Sequence, residues 1–296
     1  MQRRIIIIAV LTWLSCGLSV HCYAKQDIIA QKVDIPPVVN GQADDAAWEK
    51  AQAVITHDKI EDIDLTLKAV YTDREIFFLV TFSDPTESRR HKTWVWDKEL
   101  AVYKAGLTRE DTFILKWNML DKPVDLSVYA DEPYVADIWF WKACRTDPGG
   151  FADDKKQVLS FSKLAKSTEI KSVSGKTMYL LRVGDDGEPA YTNTLFDEFK
   201  GDNLPHFANQ TPTGSRADIR ARGIWKAGIW TIEFSRALST GNDDDIQLSP
   251  DKKYQFGVSR HEIAGRKPDP EAEQPLYGVG DIFEELTLRF GLSFNE

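Results

Sequence analysis

The chain has 296 residues, of which 42% are hydrophobic, and 46 acidic against 37 basic residues give it a formal net charge of −9. This acidic balance excludes nucleic acid as an expected partner, because binding to phosphates needs clustered cations. A chain of this length can bury a sizeable core, either as one large domain or as two smaller ones.

Residues 1–24 have the pattern of a secretory signal peptide and are not expected to join the fold. Arg3 and Arg4 give a basic start, and an apolar run follows over residues 5–20. Cleavage after this segment would begin the mature chain at Lys25 and, by removing two arginines, change the net charge from −9 to −11. We expect a soluble periplasmic protein, because no later stretch of sequence is apolar for long enough to span a bilayer.

Cysteine usage limits the chemistry further. Cys16 and Cys22 fall in the predicted signal peptide, so only Cys144 remains in the mature chain. An intramolecular disulfide is then impossible, and the core must hold the fold. The sequence has no C-x-x-C-H, which excludes covalent attachment of a c-type haem.

The N-terminal part predicts an edge strand followed by a short helix. Residues 27–39 alternate loosely and include two consecutive prolines, which suits a strand at the edge of a sheet. The next segment, NGQADDAAWEKA at residues 40–51, starts with a turn signal, and Asp44 can cap a helix whose Trp48 packs inward. This pattern is similar to the opening of the family-9 carbohydrate-binding modules, which are β-sandwiches.

A hairpin is predicted next. Alternating apolar residues run through 65–71 and resume through 76–82, with a polar turn at residues 72–75 between them. Residues 97–105 then predict a short capped helix that Gly106 would end.

The rest of the chain predicts strands separated by turns. The irregular segment 184–215 is long enough either to cover a site, which is the commoner role of such a loop, or to join two domains. Residues 242–245, NDDD, lack the spacing of a calcium loop and predict a solvated turn. Strands are predicted at 110–117, 124–130, 176–183, 217–225, 228–235, 253–259 and 284–290.

Nearly every apolar pattern in the mature chain has the two-residue period of strands. The predicted fold class is therefore all-β, a mostly antiparallel β-sandwich with a few short helices. Because no sharp boundary and no internal repeat divides the sequence, we expect a single domain over residues 25–296.

Residues 137–154, DIWFWKACRTDPGGFADD, are the most distinctive part of the sequence. They begin as a strand with Trp139 and Trp141 on one face and break at a Pro-Gly-Gly turn that carries charge. Two indoles followed by a lysine and an arginine can wall a flat apolar ligand and leave polar groups at its rim. The residues alone favour ordinary core packing of this strand over such a wall.

The run W-x-W-K-A-x-R-T-D-P-x-G-x-A-D-D, at residues 139–154, resembles the signature of the haem-binding domain in the gamma subunit of ethylbenzene dehydrogenase and in related dimethylsulfoxide-reductase-type enzymes and cytochromes. The resemblance implies a β-sandwich of the carbohydrate-binding-module-9-like type that holds haem b without a covalent bond. It also implies a periplasmic electron-transfer protein, whose redox partner is either the molybdenum subunits of an oxidoreductase or a cytochrome.

The same resemblance implies a methionine and a lysine as iron ligands. Lys267 follows the predicted strand that contains residues 256–258 and can match the family lysine, although the spacing differs. Residues 128–131, Val-Tyr-Ala-Asp, stand where the family has its methionine. Either another pair binds the iron, for which His91 and His261 are the candidates, or this chain has lost haem.

The expected haem site can then be stated by residue. His91 lies in the loop after the predicted hairpin, just before two tryptophans, and His261 ends a predicted strand, where a sheet can fix a ligand beside a loop. Ordinary surface histidines are the alternative at both positions. The metal ligands are predicted to be two of His91, His261 and Lys267. The residues expected to contact the macrocycle are Trp94, Trp96, Trp139, Trp141, Lys142 and Arg145, with Arg145 at a propionate.

A second hypothesis is a non-catalytic carbohydrate-binding β-sandwich, in which exposed tryptophans stack on sugar rings. The opening at residues 40–51 and the nine tryptophans suit it. It predicts no chromophore and no need for His91 or His261. The sequence has no nucleophile elbow, no H-E-x-x-H and no phosphate loop, so we expect a binder or an electron carrier rather than an enzyme acting alone.

Overall fold

A computed structural model of the protein describes residues 26–58, 63–261 and 285–291. The predicted signal peptide and Lys267 lie outside these residues. The elements in chain order are β1 (Gln26–Lys32), α1 (Ala47–Lys50), β2 (Val54–Asp58), β3 (Ile63–Tyr71), β4 (Glu75–Ser83), β5 (Trp94–Asp97), β6 (Val102–Ala105), β7 (Thr112–Asn118), β8 (Tyr134–Lys142), β9 (Asp153–Ser160), β10 (Thr168–Lys171), β11 (Thr177–Gly184), β12 (Tyr191–Asn193), β13 (Asn203–Leu204), β14 (Phe207–Asn209), β15 (Arg220–Lys226), β16 (Ile229–Ala237), β17 (Tyr254–His261) and β18 (Leu286–Phe290). Among the residues so described, no helix is long and apolar enough to cross a membrane.

Thirteen of these strands form one continuous hydrogen-bonded ladder. Its order is β10-β11-β9-β8-β7-β17-β18-β1-β3-β4-β16-β15, and β2 pairs with β3 from the side. The ladder turns at β1, where residues 26–30 pair with β18 and residues 31–32 pair with β3. The two halves face each other across the main core, which confirms the predicted β-sandwich.

Strand alternation divides the apolar side chains among three clusters. The main core lies between the two halves and includes Phe113, Leu115 and Trp117 of β7 with Phe78 of β4 and Trp230 of β16. A second cluster covers the outer face of β7, β8 and β9. The third packs α1 against the outer face of β3 and β4.

The predicted hairpin is confirmed, since β3 and β4 are antiparallel neighbours. The predicted strand at residues 124–130 is wrong, because this segment is irregular although Val124 and Leu126 are buried in the second cluster. Side chains make the hydrogen bonds that a neighbouring strand would otherwise make with the backbone of this segment. The Gln255 amide binds both the N–H (3.0 Å) and the carbonyl (2.7 Å) of Val124, and the Lys116 ammonium donates to the Leu126 carbonyl.

β1 is not the predicted edge strand. It lies between β18 and β3 and runs parallel to both, in a ladder whose other pairs are antiparallel among the described strands. The two prolines that suggested an edge follow the end of β1, so they remove no N–H group from its pairing.

The helix predicted at residues 97–105 is also wrong, because β5 and β6 form a hairpin there. Asp97 accepts hydrogen bonds from two following backbone N–H groups, as a helix cap would. Ala101 nevertheless has a φ of 52°, which turns the chain back on itself. A T-shaped contact between the rings of Trp96 and Tyr103, with centroids 4.9 Å apart, joins the two strands.

The short helix near residue 48 is confirmed as the single turn α1, with Trp48 buried as predicted. Asp44 does not cap it, since α1 has no side-chain cap. The buried Glu233 carboxylate of β16 holds this segment instead. It accepts hydrogen bonds from the N–H groups of Asn40 (2.9 Å) and Gly41 (2.7 Å) and from the indole N–H of Trp48 (2.8 Å).

Two predicted loops carry more structure than expected. Segment 184–215 contains the short strands β12, β13 and β14. Residues 242–245 do form a turn, but Asp245 is only 4% exposed, so the turn is not fully solvated as predicted.

Candidate functional site

Three segments meet at one end of the β7–β8 pair: the loop between β4 and β5, the turn after β8, and segment 184–215. The strand register sets Thr112 of β7 opposite both Lys142 of β8 and His261 of β17. The end of β17, with the His261 backbone, therefore lies in the same row as Lys142.

His91, a predicted iron ligand, is largely buried here, with 13% of its side chain exposed. Its Nδ1 lies 3.4 Å from Glu110 Oε1, but in an orientation that makes no hydrogen bond. Burial first, and then the charges of Arg145 and Arg109, lower the pKa of His91 to about 2. The imidazole is therefore neutral, which is the form that coordinates a metal.

Glu110 fixes the turn after β8. Its fully buried carboxylate accepts hydrogen bonds from the backbone N–H groups of Cys144 (2.7 Å) and Arg145 (3.0 Å) through Oε2. Its other oxygen accepts from Nε of the Arg145 guanidinium. Arg145 is thus held in place by charge-assisted bonds.

A stack of rings covers this end of the sheet. Trp94 lies over His206, with centroids 3.8 Å apart and planes 24° apart, and His206 lies over Phe207 at 4.5 Å and 11°. Phe207 contacts His91 at 5.7 Å, and the Arg145 guanidinium lies 5.4 Å from the Phe207 centroid. The neutral imidazole therefore has a flat aromatic surface on one side and a fixed cation on another.

Lys142 and Asp153 form a buried ion pair on the outer face of β8 and β9. Asp153 is also contacted by Arg216 (2.6 Å) and by the Tyr191 hydroxyl (3.0 Å). Burial lowers the pKa of Lys142 to about 8, an effect that Asp153 only partly offsets. Burial opposes ionisation of Asp153 as well, but Lys142, Lys155 and Arg216 together lower its pKa. The pair is therefore ionised at neutral pH.

Trp139 and Trp141, which were predicted to contact a macrocycle, are fully buried in the main core. Trp139 packs on Trp117 at 5.2 Å and lies 4.7 Å from the Arg236 guanidinium. Trp141 packs on Trp230 at 4.9 Å. Their described contacts are those of core residues, and contact with a macrocycle stays a prediction.

The structure brings part of the predicted set together. Trp96 packs against Tyr103 and Phe199 rather than in the ring stack. The side chain of His261 and the whole of Lys267 lie outside the described residues. The predicted residues that meet at this end are His91, Trp94, Lys142 and Arg145.

Four other residues of the site were not singled out from the sequence. Three of them lie in segment 184–215. The sequence indicated them only in so far as this segment was expected to cover a site. Glu110 gave no signal, because its partner Cys144 lies 34 positions away in the chain. The four are Glu110, Tyr191, His206 and Phe207.

Comparison with known proteins gives one family and several similar solved structures. The family model described as "Ethylbenzene dehydrogenase" matches residues 30–267. Two solved structures of a family 9 carbohydrate-binding module from Caldicellulosiruptor kristjanssonii, one with glucose and one with cellotriose, are each 10% identical over 92% of this chain. They are covered over 99% and 97% of their own length, with TM-scores of 0.39 and 0.37. No curated protein matches the chain.

Proposed function

Because the chain belongs to the ethylbenzene dehydrogenase family, we propose that it binds haem b without a covalent bond and carries electrons for an oxidoreductase or a cytochrome system. The family match spans residues 30–267 and so includes every described residue of the site. The chain is proposed to be an electron-transfer subunit rather than an enzyme acting alone.

The observation that carries this proposal is the state of His91. A buried nitrogen without a hydrogen-bond partner costs about 1–3 kcal/mol. His91 Nδ1 is such an atom among the described residues, and its imidazole is neutral. An iron ion is an electron-pair acceptor, and a neutral imidazole is a ligand that haem iron takes, so the donor chemistry of His91 fits haem.

The proposed site uses residues on several elements. Two of His91, His261 and Lys267 would hold the iron, with His261 at the end of β17 and Lys267 later in the sequence. Trp94 and Trp96 contact the macrocycle, and Arg145 meets a propionate through the N–H groups that Glu110 leaves free. Trp139, Trp141 and Lys142 complete the predicted surroundings from the strand beneath.

Bound haem b would supply a one-electron iron couple. The residues beside His91 include the cations Arg145, Arg109 and Lys92, which would favour reduced iron and raise its reduction potential. The buried Glu110 carboxylate, 3.4 Å from His91 Nδ1, would act in the opposite direction.

The setting of the protein is proposed from the sequence. A signal peptide over residues 1–24 would deliver the mature chain to the periplasm. The net charge of −11 after cleavage suits a redox partner with a basic docking surface. The molybdenum subunits of an oxidoreductase, or a cytochrome, are the proposed partners.

Titration of haemin into the haem-free mature chain tests the proposal. We expect a Soret band that saturates at one haem per chain. His91→Ala should weaken haem affinity by about 10-fold or more and shift the bands, since a lost ligand or its support has effects of that size. His57→Ala is the matched control, because His57 lies on β2 and bonds to Asp64 (2.9 Å). A chain that takes up no haemin would contradict the proposal, and equal affinities in both variants would reject His91 as a ligand.

Carbohydrate binding is less well supported, because it needs exposed tryptophans. None of the eight tryptophans among the described residues is exposed. Trp94, the nearest to a free platform, is covered by His206. The buried ones are Trp48, Trp117, Trp139, Trp141 and Trp230, and the half-buried ones are Trp94, Trp96 and Trp225.

A further inference from the structure

A second cluster of ionisable side chains lies on the opposite face of β8 and β9 from the Lys142–Asp153 pair. Asp137, Asp154 and Asp245 each place a carboxylate oxygen within 4.8 Å of the other two. Asp137 belongs to β8, Asp154 to β9, and Asp245 to the turn between β16 and β17. All three are buried, and the most exposed of them, Asp245, is 4% exposed.

Asp154 is the residue that points to a ligand. Its side chain is fully buried, and neither of its oxygens has a hydrogen-bond partner among the described residues. It is aimed at Asp137 and Asp245. One oxygen of each of these two, and both oxygens of Asp185, also accept no hydrogen bond from an N–H or hydroxyl group in the described part of the chain. The carboxyls of Asp185 and Asp154 are close enough to share a proton. Buried acceptors in this state are costly unless something satisfies them.

The charge of the cluster is not balanced by the side chains around it. Arg236 reaches the cluster, with Nη1 2.7 Å from Asp137 Oδ2 and 3.6 Å from Asp245 Oδ1. One guanidinium cannot neutralise the four carboxylates of Asp137, Asp154, Asp185 and Asp245. Burial first, and then these like charges, raise the pKa of Asp154. Either shared protons or a bound cation must supply the missing positive charge.

We propose that Asp137, Asp154 and Asp245 bind a divalent, oxygen-preferring cation of the calcium type. Calcium takes about six to eight oxygen ligands in a flexible geometry, which suits carboxylates from three separate elements. The carboxylate of Asp185 can add a further oxygen ligand to the cation. The cluster contains no histidine or cysteine among the described residues, which disfavours zinc.

A cation here would lie beside a groove that borders Asp245, and it would have a structural effect. Asp245 and Ile246 line a groove of about 400 Å³ together with Asn118 and Gln255. The bound ion would tie β8, β9 and the 242–245 turn together, on the side of the strand pair that faces Arg236 of β16. The bound ion would then explain why the Asp245 carboxylate of this turn is buried instead of pointing into solvent.

Calcium titration of the mature chain, residues 25–296, tests this inference. The protein is stripped with EGTA at pH 7.5, and calcium chloride is then added in a calorimeter and in a thermal unfolding experiment. We expect one calcium ion per chain and a rise in Tm of about 5–10 °C at 100-fold excess over the Kd. Asp154→Asn should abolish both signals and still fold, because it removes a repelling charge. Asp243→Asn, at an exposed position of the same turn, should leave both unchanged.

The rival account, in which the carboxylates share protons, gives the opposite results. A Tm that is equal in calcium and in EGTA, with no binding heat, overturns the inference, and so does an Asp154→Asn variant that binds calcium with unchanged affinity. If the stripped chain does not fold, the metal content of the protein as purified decides. One divalent ion per wild-type chain that is lost in Asp154→Asn supports the site, and a metal-free wild type overturns it. None of these measurements depends on haem.

Discussion

Asp153 and Asp154 are adjacent in the chain but lie in opposite electrostatic environments. Successive residues of a strand point to opposite faces. Asp153 therefore faces Lys142 and Arg216, which lower its pKa. Asp154 faces Asp137 and Asp245, and burial together with these carboxylates raises its pKa. Both residues are almost fully buried, so the sign of the neighbouring charges explains why their pKa values shift in opposite directions.

Cys144 should react slowly while the chain is folded. Burial, followed by the Glu110 carboxylate, raises the pKa of this thiol to about 11, against about 8.5 for an ordinary cysteine. Above pH 8.5 the unfolded chain loses this proton first, so the free energy of unfolding should fall as pH rises from about 8.5 to about 11.

Alkylation by iodoacetamide at pH 8, followed by mass spectrometry, checks the state of Cys144. The mature chain has one thiol, so the signal needs no assignment. We expect a rate at least about 10-fold slower in the folded chain than in urea, since the thiolate is the reactive form. Equal rates would contradict the raised pKa.

Gly223 should not tolerate a side chain. A Cβ added there would overlap Trp141 Cζ2 and lie 3.0 Å from Cε2 of the same buried indole. Gly223→Ala should therefore lower the free energy of unfolding by about 1–3 kcal/mol, as overpacking does. Gly149→Ala is the control, because its Cβ would lie 3.6 Å from Phe151, an ordinary contact. Urea denaturation compares the two, and equal midpoints would show that the indole can move aside.

At the scale of elements, the turn after β8 is held by one carboxylate. Asp147 accepts hydrogen bonds from the Trp141 indole (2.9 Å), the Gly223 N–H (2.6 Å) and the Arg89 guanidinium (2.6 Å). This aspartate therefore joins the turn to β8, β15 and the loop that carries His91. These three contacts give a structural reason for an aspartate at position 147 of the 139–154 run.

Asp147→Ala should lower the free energy of unfolding by about 3–5 kcal/mol, because it leaves an indole and an amide without acceptors and removes one of the two carboxylates that pair with Arg89. Urea denaturation measures the loss. Asp121→Ala, at an exposed position, should stay within about 0.5 kcal/mol of the wild type. Similar losses in both variants would mean that the turn is not held by Asp147.

The carboxylate of Glu233 likewise holds the segment before α1 in place. Glu233→Gln turns one acceptor oxygen into a donor that faces an N–H group, so we expect a loss of about 1–3 kcal/mol. Exchange of the Gly41 amide hydrogen, followed by NMR, should become faster. Glu49→Gln, on the exposed face of α1, is the control. Unchanged exchange at Gly41 would contradict this account.

The two-residue period predicted most strands, because each is long enough to bury one face. The β3–β4 hairpin shows this most directly. The errors arise where side chains replace backbone pairing or where partners are distant. Gln255 satisfies Val124 in place of a strand, and the Asp245 carboxylate lies beside those of Asp137 and Asp154, which are distant from it in the chain. Local sequence contains neither contact.

The candidate site was predictable to a similar degree. His91 and Arg145 were singled out because each lies within a few positions of tryptophans in the sequence, and their role in a site stays a prediction. Glu110 and the His206–Phe207 pair were missed, because their contacts are set by the sheet register and by the path of segment 184–215. Tertiary structure alone brings them together.

On the scale of the whole molecule, β8 and β9 separate two sites of opposite charge. The outer face and the end of these strands carry His91, Arg145 and Lys142, where haem is proposed. The inner face carries the buried aspartates, where a cation is proposed. The two proposed sites thus lie on opposite faces of one strand pair.

The central claim, that this chain is a haem b protein, is tested most directly on the mature protein secreted with haem available. Its absorption spectrum is recorded before and after dithionite. The account predicts a Soret band, α and β bands that sharpen on reduction, and loss or shift of these bands in His91→Ala. A colourless protein that also stays colourless with added haemin would contradict it.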